Sequence, residues 1–180
     1  NAYDSLGRIM TQTDANSNQW TYLFAGYRSE EENPLGNSMI YFNDFNGRAL
    51  KIIDQLGNET LQEFDGFKRR TKITMPEGNS VATEYDPKGN VLKLTKVAKG
   101  GSGLSDIENT FTYNTTWNKV ATEVDGNGNT TTYTYDGTTS NLLTIQRPVI
   151  NSVTPTITHT YYARGQLLSK TDEISIFSFC

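Results

Sequence analysis

Acids are the side chains this sequence places most regularly, and paired carboxylates are what general acid–base or glycoside chemistry requires. Asp4, Asp44, Asp65, Asp86 and Asp136 each follow an aromatic residue or Asn. Asp4 with Asp65 would form such a pair if stacked units brought them together. Nothing in the sequence fixes their separation, so turn stabilisation is the reading kept. His159, the only histidine, lies in the alternating run 156–162 with no second His and no Cys nearby. Neither a nucleophilic triad nor a zinc site can be assembled from such parts, and it reads as a sheet-surface residue. Asp125-Gly126-Asn127-Gly128-Asn129 resembles the opening of a calcium loop, with Asp136 at the twelfth position. The sixth position, where that loop needs Gly, is Thr130, and the flanks alternate as strands do, so a hairpin turn explains it better. Asn58, Asn114 and Asn129 match the glycan acceptor pattern, which matters only in a eukaryotic secretory route. Trp20, Tyr22, Trp117, Tyr133, Tyr135, Tyr161 and Tyr162 remain. They form cross-strand ladders or stack on sugar rings; the ladder is preferred, because it needs no ligand. Trp20, Trp117, Tyr133 and Tyr135 are kept as the ligand-stacking candidates. No residue is assigned to catalysis, a metal or a cofactor.

The elements that carry these residues repeat. Tyr3-Asp4-Ser5-Leu6-Gly7-Arg8 returns as Asn43-Asp44-Phe45-Asn46-Gly47-Arg48 and as Tyr85-Asp86-Pro87-Lys88-Gly89-Asn90. Degenerate copies begin at Phe24, Phe64, Tyr113, Tyr135 and Tyr162, the last reading Tyr162-Ala163-Arg164-Gly165. The position held by Asp in most copies falls at 4, 25, 44, 65, 86, 114, 136 and 163. The steps are 21, 19, 21, 21, 28, 22 and 27 residues, so the second half carries insertions. A second signature lies midway between the first: Asp14 to Asn18, Pro34 to Asn37, Asp54 to Asn58, Pro76 to Asn79 and Asp125 to Asn129. A short fixed period means one supersecondary unit copied along an axis.

Between the two turn signals the residues alternate. Val81, Thr83 and Tyr85 share a face, as do Tyr133 and Tyr135. A period of two over about seven residues is a half-buried strand. Each repeat is therefore a two-stranded hairpin. Strands are predicted over 47–54, 59–65, 67–74, 80–86, 90–97, 108–114, 118–125, 130–136, 142–147, 156–162 and 166–172, with earlier ones near 7–14, 19–24 and 38–44. The Tyr ring supplies apolar area while its hydroxyl reaches a polar partner at the sheet margin. The Asp accepts backbone N–H bonds in the turn, and Gly supplies the positive φ. The segment Ser29 to Pro34 reads as an acidic turn. Loops are expected near 97–107 and 147–155, inside one array of about eight repeats over 1–180. Residues 173–180, ending in the lone Cys180, do not fit the pattern.

Composition agrees with many short strands. Hydrophobic residues are 35% of the 180, while Thr, Asn, Gly and Tyr are abundant. A net charge of −4 with no basic stripe gives nucleic acid binding no electrostatic support. No apolar run is long enough to span a bilayer as a helix, and no signal peptide is recognisable. With one Cys no internal disulfide forms, so packing and ladder hydrogen bonds must hold the array. The chain is expected to be a piece of something longer.

Tyr-Asp-x-x-Gly-Arg at this spacing, alternating with Asp-x-x-Gly-Asn, resembles the YD repeats of the Rhs family: bacterial Rhs polymorphic toxins, Tc toxin B and C shell components and the teneurin YD barrel. The resemblance runs from about residue 3 to about 172. It rests on Tyr3, Asp4, Gly7, Arg8, Asp44, Gly47, Arg48, Phe64, Asp65, Tyr85, Asp86, Gly89, Tyr113, Tyr135, Asp136, Tyr162 and Gly165. It implies an all-β fold of tandem hairpins in a curved, spiralling sheet, as a partial barrel or shell segment. It further implies a non-catalytic structural role, in a secreted or cell-surface bacterial toxin or secretion component that encapsulates or presents a toxin or adhesion module. The expected partners are neighbouring repeats, an enclosed toxin domain and other copies paired through edge strands. A surface module that binds carbohydrate or protein through aromatics is the alternative. Family shells use many more repeats than eight, and the sequence that ends the bacterial core is not evident. Asp86-Pro87-Lys88-Gly89 is superficially like that ending but continues as an ordinary repeat.

Overall fold

The computed structural model describes residues 1–173; the off-pattern tail, with Cys180, lies outside them. Sixteen strands and no helix fill the described residues: β1 Ala2–Tyr3, β2 Ile9–Thr13, β3 Gln19–Ala25, β4 Arg28–Glu32, β5 Ser38–Asn43, β6 Ala49–Ile53, β7 Glu59–Phe64, β8 Arg70–Thr74, β9 Ser80–Tyr85, β10 Val91–Val97, β11 Ile107–Tyr113, β12 Val120–Val124, β13 Thr130–Tyr135, β14 Leu142–Gln146, β15 Thr156–Tyr161 and β16 Leu167–Glu173. Among the described residues no helix is long and apolar enough to cross a membrane. The fold is all-β, and β1 to β9 and β11 to β16 each pair antiparallel with their sequence neighbours. The chain divides into two units: Asn1–Ala82 with Lys96–Ser105, and Thr83–Thr95 with Asp106–Cys180. In the first unit order runs β1 to β9 without crossover; in the second it runs from the end of β9 to β16.

One expectation is overturned. Ser29 to Pro34 is not an acidic turn: Arg28–Glu32 forms β4, with Ser29 opposite Tyr41 and Glu30 opposite Ile40. Three consecutive Glu disguise the strand. Arg28 pairs with Glu30 on one face, which relieves the repulsion. The turn before it, Gly26-Tyr27, has only two residues, with Ala25 opposite Arg28. It therefore lacks the Tyr-Asp chemistry of the other copies.

Both signatures encode one turn. Asp4 N–H donates to Arg8 O at 2.8 Å and Gly7 N–H donates to Asp4 O at 3.0 Å. Asp54, Gly57 and Asn58 of the second signature repeat the pattern at 3.0 and 3.0 Å. The fourth residue carries positive φ, +79° at Gly47 and +83° at Gly57. Turns 114–119 and 136–141 take one further residue, and Asn118 and Ser140 hold the left-handed position.

The two margins differ in register. At the Tyr-Asp turns each hairpin carries a bulge: Phe42 faces Lys51 but Asn43 faces Ala49, leaving Leu50 unpaired. Leu143 in β14 and Leu168 in β16 are left out the same way. Hairpins of the second signature stay in register, as in Ile53 opposite Glu59 and Val124 opposite Thr130. A bulge adds local right-handed twist, so twist is concentrated at one margin of each unit.

Among the described residues Ile157 is the only buried hydrophobic side chain, and none is fully buried. Within each unit the contacts run between strands adjacent in sequence, so stability there comes from half-buried cross-strand contacts.

Candidate functional site

The Tyr-Asp turns are the most organised polar structures in the chain. In each complete copy the Asp carboxylate serves its own turn. One oxygen of Asp44 accepts the N–H groups of Asn46 and Arg48 at 2.8 and 3.0 Å, and the other accepts Arg48 Nε at 2.8 Å. Asp4 with Arg8 and Asp65 with Arg69 repeat this. Asp14, Asp54 and Asp125 do the same with Asn at the fifth place. These bonds favour the charged form. The Arg8 backbone N–H leads in holding Asp4 below the ordinary carboxylate value. The Arg48 side chain leads at Asp44, and the Asn18, Asn58 and Asn129 amides lead at Asp14, Asp54 and Asp125. At Asp136 it is the Thr139 N–H. At Asp65 and Asp86 desolvation is the largest single influence and opposes the shift, but the turn bonds together outweigh it.

The fifth residue then reaches sideways to the next repeat. Arg8 lies 5.0 Å from the ring centre of Phe24, and Arg48 lies 4.6 Å from that of Phe64, both cation–π distances. Where the next aromatic is Tyr, its hydroxyl makes the link. Tyr113 Oη donates to Val91 O, Tyr135 Oη to Val120 O and Tyr161 Oη to Leu142 O, each at 2.8 Å. The acceptor is always the residue just after the preceding turn's last position: Asn90, Lys119 or Asn141. Turns also touch directly. The Asn90 and Asn118 amides bond reciprocally at 2.8 and 3.0 Å, and Lys119 Nζ donates to Ser140 O at 2.7 Å. Five of the Tyr-Asp turns are thus clamped to a neighbour by an aromatic residue, whereas Arg69 lies over Phe67 of its own turn at 5.1 Å.

Several predicted residues fall elsewhere. Tyr162 does not occupy the Tyr position. Tyr162 N–H donates to Gln166 O and Gly165 N–H to Tyr162 O, so Tyr162 stands where other copies have Asp, and Tyr161 bears the linking hydroxyl. Two adjacent tyrosines made the frame ambiguous. Tyr162 and Tyr3 are exposed. Tyr85 ends β9, and Gly89 and Gly165 hold positive φ. Asp4 and Asp65 are not a pair: their turns are six strand positions apart, roughly 25–30 Å along the sheet. The Asp125 carboxylate accepts Asn127 N–H, Asn129 N–H and Asn129 Nδ2, so the calcium-like run is a capped hairpin turn. Trp20 and Trp117 are half-buried. Tyr133 faces Ile145 across the ladder and reaches Glu123 at 3.4 Å. His159, opposite Lys170, buries Nδ1 without a hydrogen-bond partner among the described residues.

The fold and clamp define a tandem β-hairpin repeat protein. No protein-family model and no curated protein sequence matches the chain. Solved structures do. The crystal structure of TcdB2-TccC3 matches over 94% of this chain at 16% identity with a TM-score of 0.59. The same complex without its hypervariable C-terminal region gives 0.58, at the same identity and coverage. The Photorhabdus luminescens Tc holotoxin pore gives 0.55, also at 16% identity over 94% of this chain. The fold is that of a stretch of these Tc toxin chains, and this chain spans 11% of their length.

Proposed function

We propose that this chain is a non-catalytic wall segment of an Rhs/YD-repeat shell, which encapsulates or presents a toxin or adhesion module in a secreted bacterial assembly. The observation that carries the reading is the direction of the polar chemistry. The turn carboxylates bond their own backbone, and the arginines and tyrosines bond the next hairpin. Groups arranged in this way hold a sheet together; they do not converge on a substrate.

Exposed apolar turn tips fit the same role. Leu6, Phe45 and Phe67 at one margin of the first unit are each at least three-quarters exposed, as are Leu35 and Leu56 at the other. Large apolar side chains in such positions mark contact surfaces, here with further wall material. Imaging the full polypeptide by electron microscopy tests the proposal. Density for a hollow body with this segment in its wall is expected. A segment standing free of any enclosure would overturn it, as would hydrolytic activity of the purified chain that one Asp substitution abolishes.

A further inference from the structure

A groove beside the insertion between β14 and β15 is independent of the wall reading. On one face of β11 to β16 threonines stand opposite one another across the strands. Most are satisfied in pairs: Thr112 with Thr122 at 2.6 Å, Thr134 with Thr144 at 2.7 Å and Thr160 with Ser169 at 2.7 Å. The row through Thr112 and Thr122 continues to Thr132 and Gln146. There the pairing stops. The Thr130 and Thr132 hydroxyls and the Gln146 amide have no intramolecular hydrogen bond among the described residues, and the Asn129 amide engages only through its nitrogen, to Asp125.

These groups line one concavity of about 440 Å³, within the usual range for small ligands. Its far wall is Pro148 and Val149, from the insertion between β14 and β15. That insertion is itself a small hairpin. Ile150 and Val153 pair across a two-residue turn whose central residues, Asn151 and Ser152, both have positive φ, +50° and +66°. Arg147 N–H donates to Pro155 O at 2.9 Å and closes its base. Insertions in a repeat array commonly carry its binding face.

The geometry points to a subsite for a neutral pyranose sugar in this groove. Hydroxyls and amides that can both donate and accept suit the vicinal hydroxyls of a sugar, while Pro148 and Val149 offer an apolar surface to its C–H face. The lining holds no carboxylate, and the one cation, Arg147, has its guanidinium 3.9 Å from Asp172, which counters its charge. An uncharged ligand therefore fits better than an anion.

The test is a nitrogen-15 NMR titration of the whole chain with cellotetraose, a neutral glucose tetramer, and with trigalacturonate. Cellotetraose is expected to move the amide signals of 128–132, Gln146, Arg147 and Val149 at millimolar concentration. Thr132→Val keeps the strand shape and removes the hydroxyl, and Gln146→Ala removes the amide. Each should weaken binding about five- to tenfold while the remaining spectrum shows an intact fold. The proposal is overturned by unmoved groove signals, by undiminished binding in both variants, or by tighter binding of trigalacturonate. Binding lost in Trp117→Ala but kept in both groove variants would equally overturn it and assign recognition to the aromatics.

Discussion

The clamp makes its sharpest prediction at the three tyrosines of the second unit. Tyr135→Phe removes one hydroxyl and leaves the ring, including its contact with Lys119 Nζ at 5.3 Å. The loss is then the 2.8 Å bond to Val120 O alone. Such a bond contributes about 0.5–1.5 kcal/mol net. Tyr113 and Tyr161 make the same bond, on strands two places away on either side, about 10 Å from Tyr135. At that distance the effects should add, so the triple Phe variant should lose about 3 kcal/mol. That is a large fraction of the roughly 5–15 kcal/mol that holds most domains together. Urea unfolding followed by circular dichroism measures it: the midpoint should fall stepwise by about 0.3–1 M per substitution at unchanged slope. Burial also raises the ionisation of Tyr113 and Tyr135 above the ordinary tyrosine value. The neutral form is the one the fold favours, so this contribution is fully present below the unfolded value near pH 10 and is lost as pH rises beyond it through the raised folded value. If all three Phe variants unfold at the parent midpoint, the hydroxyls do not link repeats and the clamp reduces to ring packing.

Backbone conformation supplies the next tests. Lys68 and Ser17 sit at φ +67°, where other turns use Gly. Lys68→Gly and Ser17→Gly should each stabilise by about 0.5–1 kcal/mol, and Gly57→Ala, at +83° with open space around it, should destabilise by about 1–2 kcal/mol, read from urea midpoints. A Cβ on Gly126 would lie 2.3 Å from Ile107 Cγ2, so Gly126→Ala should cost about 1–3 kcal/mol and be relieved by Ile107→Ala, whereas Gly137→Ala, with nothing nearby, should be neutral. Thermal unfolding against pH checks the turn carboxylates. Asp4, Asp14, Asp44, Asp54, Asp65, Asp86, Asp125 and Asp136 are all lowered from their ordinary value. Their contribution is therefore present above the unfolded value near pH 4 and lost as pH falls below it. A chain equally stable at pH 3 and pH 6 would remove the carboxylates from the account.

The hairpins were legible because each carries its own turn chemistry. A positive-φ glycine and a capping acid act over five residues, so Asp44 to Arg48 declares its turn without help from the rest of the chain. The strand β4 was not legible for the converse reason. Three glutamates favour exposure, and only pairing with β3 and β5 holds them extended. The clamp was half legible. That Tyr hydroxyls reach polar partners follows from the residue type, but which partner depends on register across two strands. The identities at the two ends of the clamp follow each other in four of the copies, with Tyr85 after the Arg69 turn as the exception, where Arg69 instead lies over Phe67 of its own turn. Phe24 and Phe64 follow turns that end in Arg, while Tyr113 and Tyr161 follow turns that end in Asn. A guanidinium stacks on a ring and needs no hydroxyl; an amide is too short to stack, and the link passes to the hydroxyl and the backbone carbonyl. Lys119 beside Tyr135 uses both. The last residue of one turn and the aromatic that closes the next hairpin thus form one unit of structure, split between positions 16 to 23 residues apart. A reading that treats each repeat as self-contained cannot see it. Exchanging Asn141→Arg together with Tyr161→Phe should restore part of the stability that Tyr161→Phe alone removes, and no restoration would mean that the Arg–Phe and Asn–Tyr forms are not alternatives for the same link.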